Sequence, residues 1–173
     1  VNLMLRRLPR LRDESIPPEQ AFGGTFHVNE TFTQLGTAYA RADIGVVPDP
    51  LPCEIYCHSL TDPTILSGEL RAAGAQTLTV FGLHTPHSLV AGRDPDLVRD
   101  VLTSAVLDSL NSVLAEPIQD VLMKDSAGRP CVEAKTTLDL EQTLGMTAGN
   151  IFHGALSWPF AEKGEPLDTA AAR

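Results

Sequence analysis

No apolar stretch in this sequence approaches the roughly 20 residues that would cross a bilayer. Basic residues are also in short supply. Thirteen Lys and Arg stand against 22 Asp and Glu, a formal net charge of −9. That balance argues against a nucleic-acid or anionic-membrane surface, because phosphates need clustered Lys and Arg. Three cysteines in 173 residues do not form a disulfide framework, and the odd count leaves at least one thiol unpaired. A reducing compartment, the cytoplasm, is the expectation. No G-x-S-x-G elbow, H-E-x-x-H or G-x-G-x-x-G occurs, which removes the usual hydrolase, zinc-protease and dinucleotide signatures. Apolar residues make up 43% and charged residues 20%, ordinary proportions for a globular protein.

The length fits one domain of the usual size. Positions 1–162 are expected to form a single unit and 163–173 a tail. Val1 to Leu5 reads as a strand, and so does Thr25 to Val28. Asn29 is the expected cap of a helix carrying Phe32, Leu35, Tyr39 and Ala42 on one face and stopped at Gly45. A strand is expected over Glu54 to Leu60. The turn Asp62-Pro63 follows, the segment from Leu66 to Ala73 stays open, and Thr77 to Leu83 alternates as a strand. Asp94 and Pro95 open the strongest helix, whose stripe Leu97, Val98, Val101, Leu102, Ala105, Leu110, Val113 and Leu114 runs until Pro117. Asp125 to Pro130 reads as a turn, and a short helix over Leu138 to Leu144 ends at Gly145. Strands and helices do not alternate regularly. The expected class is therefore α+β, a mixed or largely antiparallel sheet with helices packed on one face. Arg6, Arg7, Arg10 and Arg12 resemble the basic face of a transit peptide, but Pro9 interrupts any amphipathic helix, so a strand and basic turn is preferred.

Cys53, Cys57 and His58 invite a metal reading. On a strand, Cys53 and Cys57 would lie about 13 Å apart at roughly 3.3 Å per residue. Two thiolates cannot meet one ion at that separation, since zinc ligands converge within about 2.3 Å. Buried core cysteines are the expectation, His84 and His87 read as loop histidines, and no metal is expected. Gly149-Asn150-Ile151-Phe152-His153-Gly154 has the glycine spacing of a P-loop, but Ala155 stands where the lysine should be. Two glycines flanking Asn and His describe a sharp turn. It either presents Asn150 and His153 for function or simply packs Phe152 and ties down His153.

Thr136-Thr137-Leu138-Asp139-Leu140-Glu141, followed by Leu144-Gly145-Met146-Thr147-Ala148-Gly149-Asn150-Ile151-Phe152-His153-Gly154 and then Leu156-Ser157, resembles a passage of phytoene dehydrogenase-like NAD(P)/FAD-dependent oxidoreductases, relatives of carotenoid desaturases and amine oxidases. There the passage runs roughly T-P-x-D-L-E, then G-[LM]-T-G-G-N-I-F-H-G. Thr137 replaces the usual Pro and Ala148 the first Gly of the pair. Leu60-Thr61-Asp62-Pro63-Thr64-Ile65-Leu66 resembles the family's Asp-Pro segment. The resemblance implies the substrate domain of such an enzyme, cut from a longer chain, in which a sheet covers the flavin ring. It further implies FAD as cofactor in the full-length enzyme, an FAD-binding domain as the partner this chain lacks, and a small, apolar substrate. Asn150 and His153 are the expected catalytic residues, and Gly149, Asn150 and Gly154 the expected cofactor contacts. The fragment itself is not expected to retain FAD. A self-standing binding or interaction module is the alternative, and a homo-oligomer stays open.

Overall fold

The computed structural model describes residues 1–152. They fall into two compact units, Val1–Lys135 and a second beginning at Thr136. The first unit is built on a five-stranded sheet: β1 (Asn2–Leu5), β2 (Phe26–Val28), β3 (Cys53–Tyr56), β4 (Gln76–Gly82) and β5 (Val132–Glu133), in the order β2-β3-β4-β1-β5. Every neighbouring pair is antiparallel. The helices of this unit are α1 (Pro18–Ala21), α2 (Phe32–Asp43), α3 (His58–Thr61), α4 (Gly68–Ala72) and α5 (Pro95–Val113); α6 (Thr137–Leu144) belongs to the second. The class is α+β with an antiparallel sheet. Among the described residues, no helix is long and apolar enough to cross a membrane.

Alternation along the strands sends Leu3, Leu5, Val28, Cys53, Ile55, Leu78 and Val80 to one face, where all are buried. On that inner face α5 supplies Val106 and Leu110 to the same core. Asp94 caps α5 by accepting from the N–H groups of Asp96 and Leu97, with Pro95 at the first helical position, as its sequence requires. The buried stripe of α5 differs from the expected one. Val98, Val106, Ser109 and Leu110 are inside, whereas Leu97 and Val101 are exposed and Leu102 is half-buried. Both sets have helical spacing, and packing against the sheet selects between them.

Three further expectations are corrected. Thr31, not Asn29, caps α2: its hydroxyl accepts from Gln34 N–H while the Gln34 side chain accepts from Thr31 N–H. Asn29 has a positive φ of 61° and spends its amide on Leu51 O and the Ser109 hydroxyl, joining the end of β2 to α5. Second, α2 buries Ala38 and Ala42, leaving Phe32 94% exposed and Tyr39 also outside. Third, β3 ends at Tyr56 rather than Leu60, because α3 begins at His58 and Ser59 turns back to bond Gln76 and Thr77.

The basic stretch after β1 is consumed locally. Arg7 makes a two-pronged ion pair with Glu116 at 2.7 and 2.8 Å. Arg12 donates to Leu114 O and Asn111 O, carbonyls at the C-terminal end of α5 that the helix itself cannot satisfy.

Candidate functional site

The residues alternating with the core point to the other face of the sheet, where Asn2, Phe81 and Glu133 are exposed. Register aligns them in two rows. His27, Glu54 and Phe81 stand side by side on β2, β3 and β4, and Tyr56, Thr79, Asn2 and Glu133 run across β3, β4, β1 and β5. The second row is a hydrogen-bonded ladder: Thr79 Oγ1 donates to Asn2 Oδ1 at 3.0 Å, and Asn2 Nδ2 donates to Glu133 Oε2 at 3.2 Å. Phe81 is 54% exposed and meets the Tyr56 ring edge-on, while Tyr56 stacks on His58 with the rings 7° from parallel. Beside this ladder lies a depression of about 440 Å³, whose walls include Met4, Ile65, Thr77, Cys131 and Val132. Its lining is mainly apolar. A second groove, of about 550 Å³, runs between α5 and the segment 47–51 and presents Ser104, Asp108 and Ser112.

At the β2 edge of the outer face, His27 Nδ1 lies 2.8 Å from Glu30 Oε2, and one ligand atom each from His27, Glu30 and Glu54 lie within 4.8 Å of one another. The Tyr56 hydroxyl donates to Glu54 Oε2 at 3.0 Å. Sequence reasoning missed this group. His27 and Glu30 are visible as an i, i+3 pair, but Glu54 joins them only through the β2–β3 register.

The cysteines stay apart from these groups. Cys53 and Cys57 are buried, as expected of core thiols, with Cys53 on the inner face of the sheet. Burial pushes the Cys53 thiol up to about 12. Cys57 Sγ lies 3.5 Å from the Ser59 hydroxyl. His84, at a positive φ of 53°, meets Tyr39 edge-on, and His87 sits in a short 3-10 turn.

The second unit holds the passage that carries the family resemblance. Thr136 caps α6 in a reciprocal box with Asp139, and Gly145 ends it in the left-handed conformation, the latter as the sequence predicts. Beyond it Ala148 and Gly149 have φ of 52° and 65°. A Cβ on Gly149 would stand 2.6 Å from Thr137 Cα and 2.7 Å from Thr137 O, so close packing inside this unit already demands glycine there. Asn150 Oδ1 accepts from Phe152 N–H at 2.9 Å and so shapes the turn, while Phe152 is exposed rather than packed. His153 and Gly154 lie outside the described residues.

Tested against the flavin that the resemblance implies, the outer sheet face fits as a wall, with exposed aromatic and hydrogen-bonding groups and a shallow apolar depression. The described residues provide no glycine-rich cradle for the ADP portion, and G-x-G-x-x-G is absent from the whole sequence.

No family model and no solved structure matches the chain. Proteins of Mycobacterium tuberculosis and Mycobacterium bovis, both described as uncharacterized, are 68% identical over 171 residues, 99% of this chain and 32% of theirs. More distantly, the rat pyridine nucleotide-disulfide oxidoreductase domain-containing protein 2 is 27% identical over 163 residues, 91% of this chain and 26% of that protein. The chain thus spans about a third or less of the length of these relatives.

Proposed function

We propose that this chain is the substrate-side part of a phytoene dehydrogenase-like FAD-dependent oxidoreductase, whose outer sheet face walls a small, apolar substrate beside the flavin. The observation that carries this reading is the division of the sheet: the core, with Val106 and Leu110 of α5, lies on the inner face, while a polar ladder, two aromatic rings and a mainly apolar depression lie on the outer. The distant likeness to an oxidoreductase domain-containing protein supports it, as does the greater length of the relatives, which leaves room for a flavin-binding domain. FAD, held by that domain, supplies the hydride acceptor for oxidation of a carbon substrate. The part of this chain is to bind, orient and exclude water. Met4, Ile65 and Val132 give the substrate an apolar surface, and the Thr79–Asn2–Glu133 ladder fixes the polar groups at its edge. By the resemblance, Gly149, Asn150 and Gly154 are flavin contacts. Asn150 offers its amide as a hydrogen-bonding group, and His153 can hold or move a proton near neutral pH, where an unperturbed imidazole titrates at about 6.5.

His153→Ala in the full-length enzyme tests the assignment. Turnover per folded molecule should fall while the melting temperature stays close to that of the parent. Preserved turnover per folded molecule with lowered stability would instead make His153 a structural residue.

A further inference from the structure

The geometry points to a binding site for a divalent first-row cation at the β2 edge of the outer sheet face, formed by His27, Glu30 and Glu54. It rests on this face alone and does not depend on the flavoenzyme reading.

The Glu30 side chain is only 14% exposed, and its Oε1 is wholly enclosed with no hydrogen-bond partner among the described residues. Among the described residues, its other oxygen is hydrogen-bonded only to His27, and the Glu54 carboxylate only to the Tyr56 hydroxyl. Among the described residues no Lys or Arg pairs with either carboxylate. Two half-buried carboxylates and a buried orphan acceptor carry a desolvation cost that a cation would offset.

Ligands at about 2.1 Å from an ion in adjacent tetrahedral or octahedral positions stand roughly 3.0–3.4 Å apart. The His27 Nδ1 to Glu30 Oε2 separation of 2.8 Å is close to this range. One ligand atom from each of the three residues already lies within 4.8 Å of the other two. The backbone prepares the set: His27 and Glu54 are direct cross-strand partners, and Glu30 follows two residues after β2. Tyr56, bonded to Glu54 Oε2, leaves the second oxygen for the ion and orients the carboxylate from behind.

One imidazole nitrogen and two carboxylates suit Zn²⁺, Co²⁺ or Mn²⁺, and Cys53 is kept on the opposite face of the sheet. Three protein ligands leave at least one position open, so the bound ion would present a water or an oxygen-bearing ligand to the outer face.

Equilibrium dialysis of the purified chain against Zn²⁺ and Co²⁺, with elemental analysis and the visible Co²⁺ spectrum, tests the site. The expected result is one ion per chain with nitrogen and oxygen ligation. Binding should weaken at least about tenfold in His27→Ala, Glu30→Gln and Glu54→Gln, and stay unchanged in Glu69→Gln. Mn²⁺ added to the unmutated protein should broaden the NMR signals of His27 and Tyr56 first, a readout that needs no variant to fold. No bound ion in the parent, full affinity in His27→Ala, or broadening centred elsewhere would each overturn the proposal.

Discussion

Replacing Leu110 by Ala removes three carbons from the middle of the contact between α5 and the sheet. Leu110 is 0% exposed and belongs to the same core as Leu3, Ile55, Leu78 and Val80. At about 0.8 kcal/mol per buried methylene-sized group, transfer alone is worth roughly 2.4 kcal/mol. The cavity left in a sheet–helix interface that cannot fully collapse brings the expected loss to about 3–5 kcal/mol. Leu102 is a different case. It lies on the same helix but is half-buried and outside the buried core, so Leu102→Ala should cost only about 1–1.5 kcal/mol, half of the transfer value. Urea unfolding followed by circular dichroism measures both, with the slope checked for constancy so that midpoints can be compared. Equal midpoints for the two variants, or a greater loss at Leu102, would refute the burial stripe assigned to α5.

The remaining predictions concern charge, backbone and thiols. Glu116 is held down to about 2 by its side-chain hydrogen bonds to Arg7, with help from Arg10. Its stabilising effect is complete above the ordinary carboxylate range and disappears as pH falls from about 4.5 towards 2. Arg7 is half-exposed, so solvent screening limits the effect to about 1 kcal/mol. Unfolding of the parent and Glu116→Gln should therefore differ at pH 6 and converge in acid, and coincidence at pH 6 would contradict the pairing. Ala148→Gly should stabilise the turn by about 0.5–1 kcal/mol by relieving a left-handed alanine. Gly149→Ala should cost more than about 2 kcal/mol through strain and the clash with Thr137. Amide exchange around α6 reads both changes, and opposite signs would contradict them. In native protein at pH 8, an alkylating reagent should modify Cys131, which is half-buried, and leave Cys53 untouched; rapid labelling of Cys53 would contradict its burial.

Elements with local punctuation were legible in the sequence. Asp94 and Pro95 mark the start of α5, Gly145 marks the end of α6, and alternation marks β4. Where competing local signals exist, tertiary contacts decide. Asn29 has the side chain of a good cap, yet Leu51 and Ser109 engage its amide, and the capping passes to Thr31 with Gln34 three residues on. The apolar run after Cys53 reads as one strand until Ser59 finds Gln76 across the chain. Ala148, a departure from the family's glycine pair, now has a physical meaning: it adopts the positive φ that glycine would accept without strain. The group of His27, Glu30 and Glu54 lay hidden because 24 residues separate Glu54 from Glu30, and only strand register brings them together.

If this sheet forms the substrate side of a flavoenzyme, as proposed above, a whole relative must contain flavin. The Mycobacterium tuberculosis protein, of which the homologous segment is 32%, should purify yellow with FAD released on denaturation at one per chain. A colourless protein that takes up no FAD on reconstitution, while folded by circular dichroism, would contradict the account.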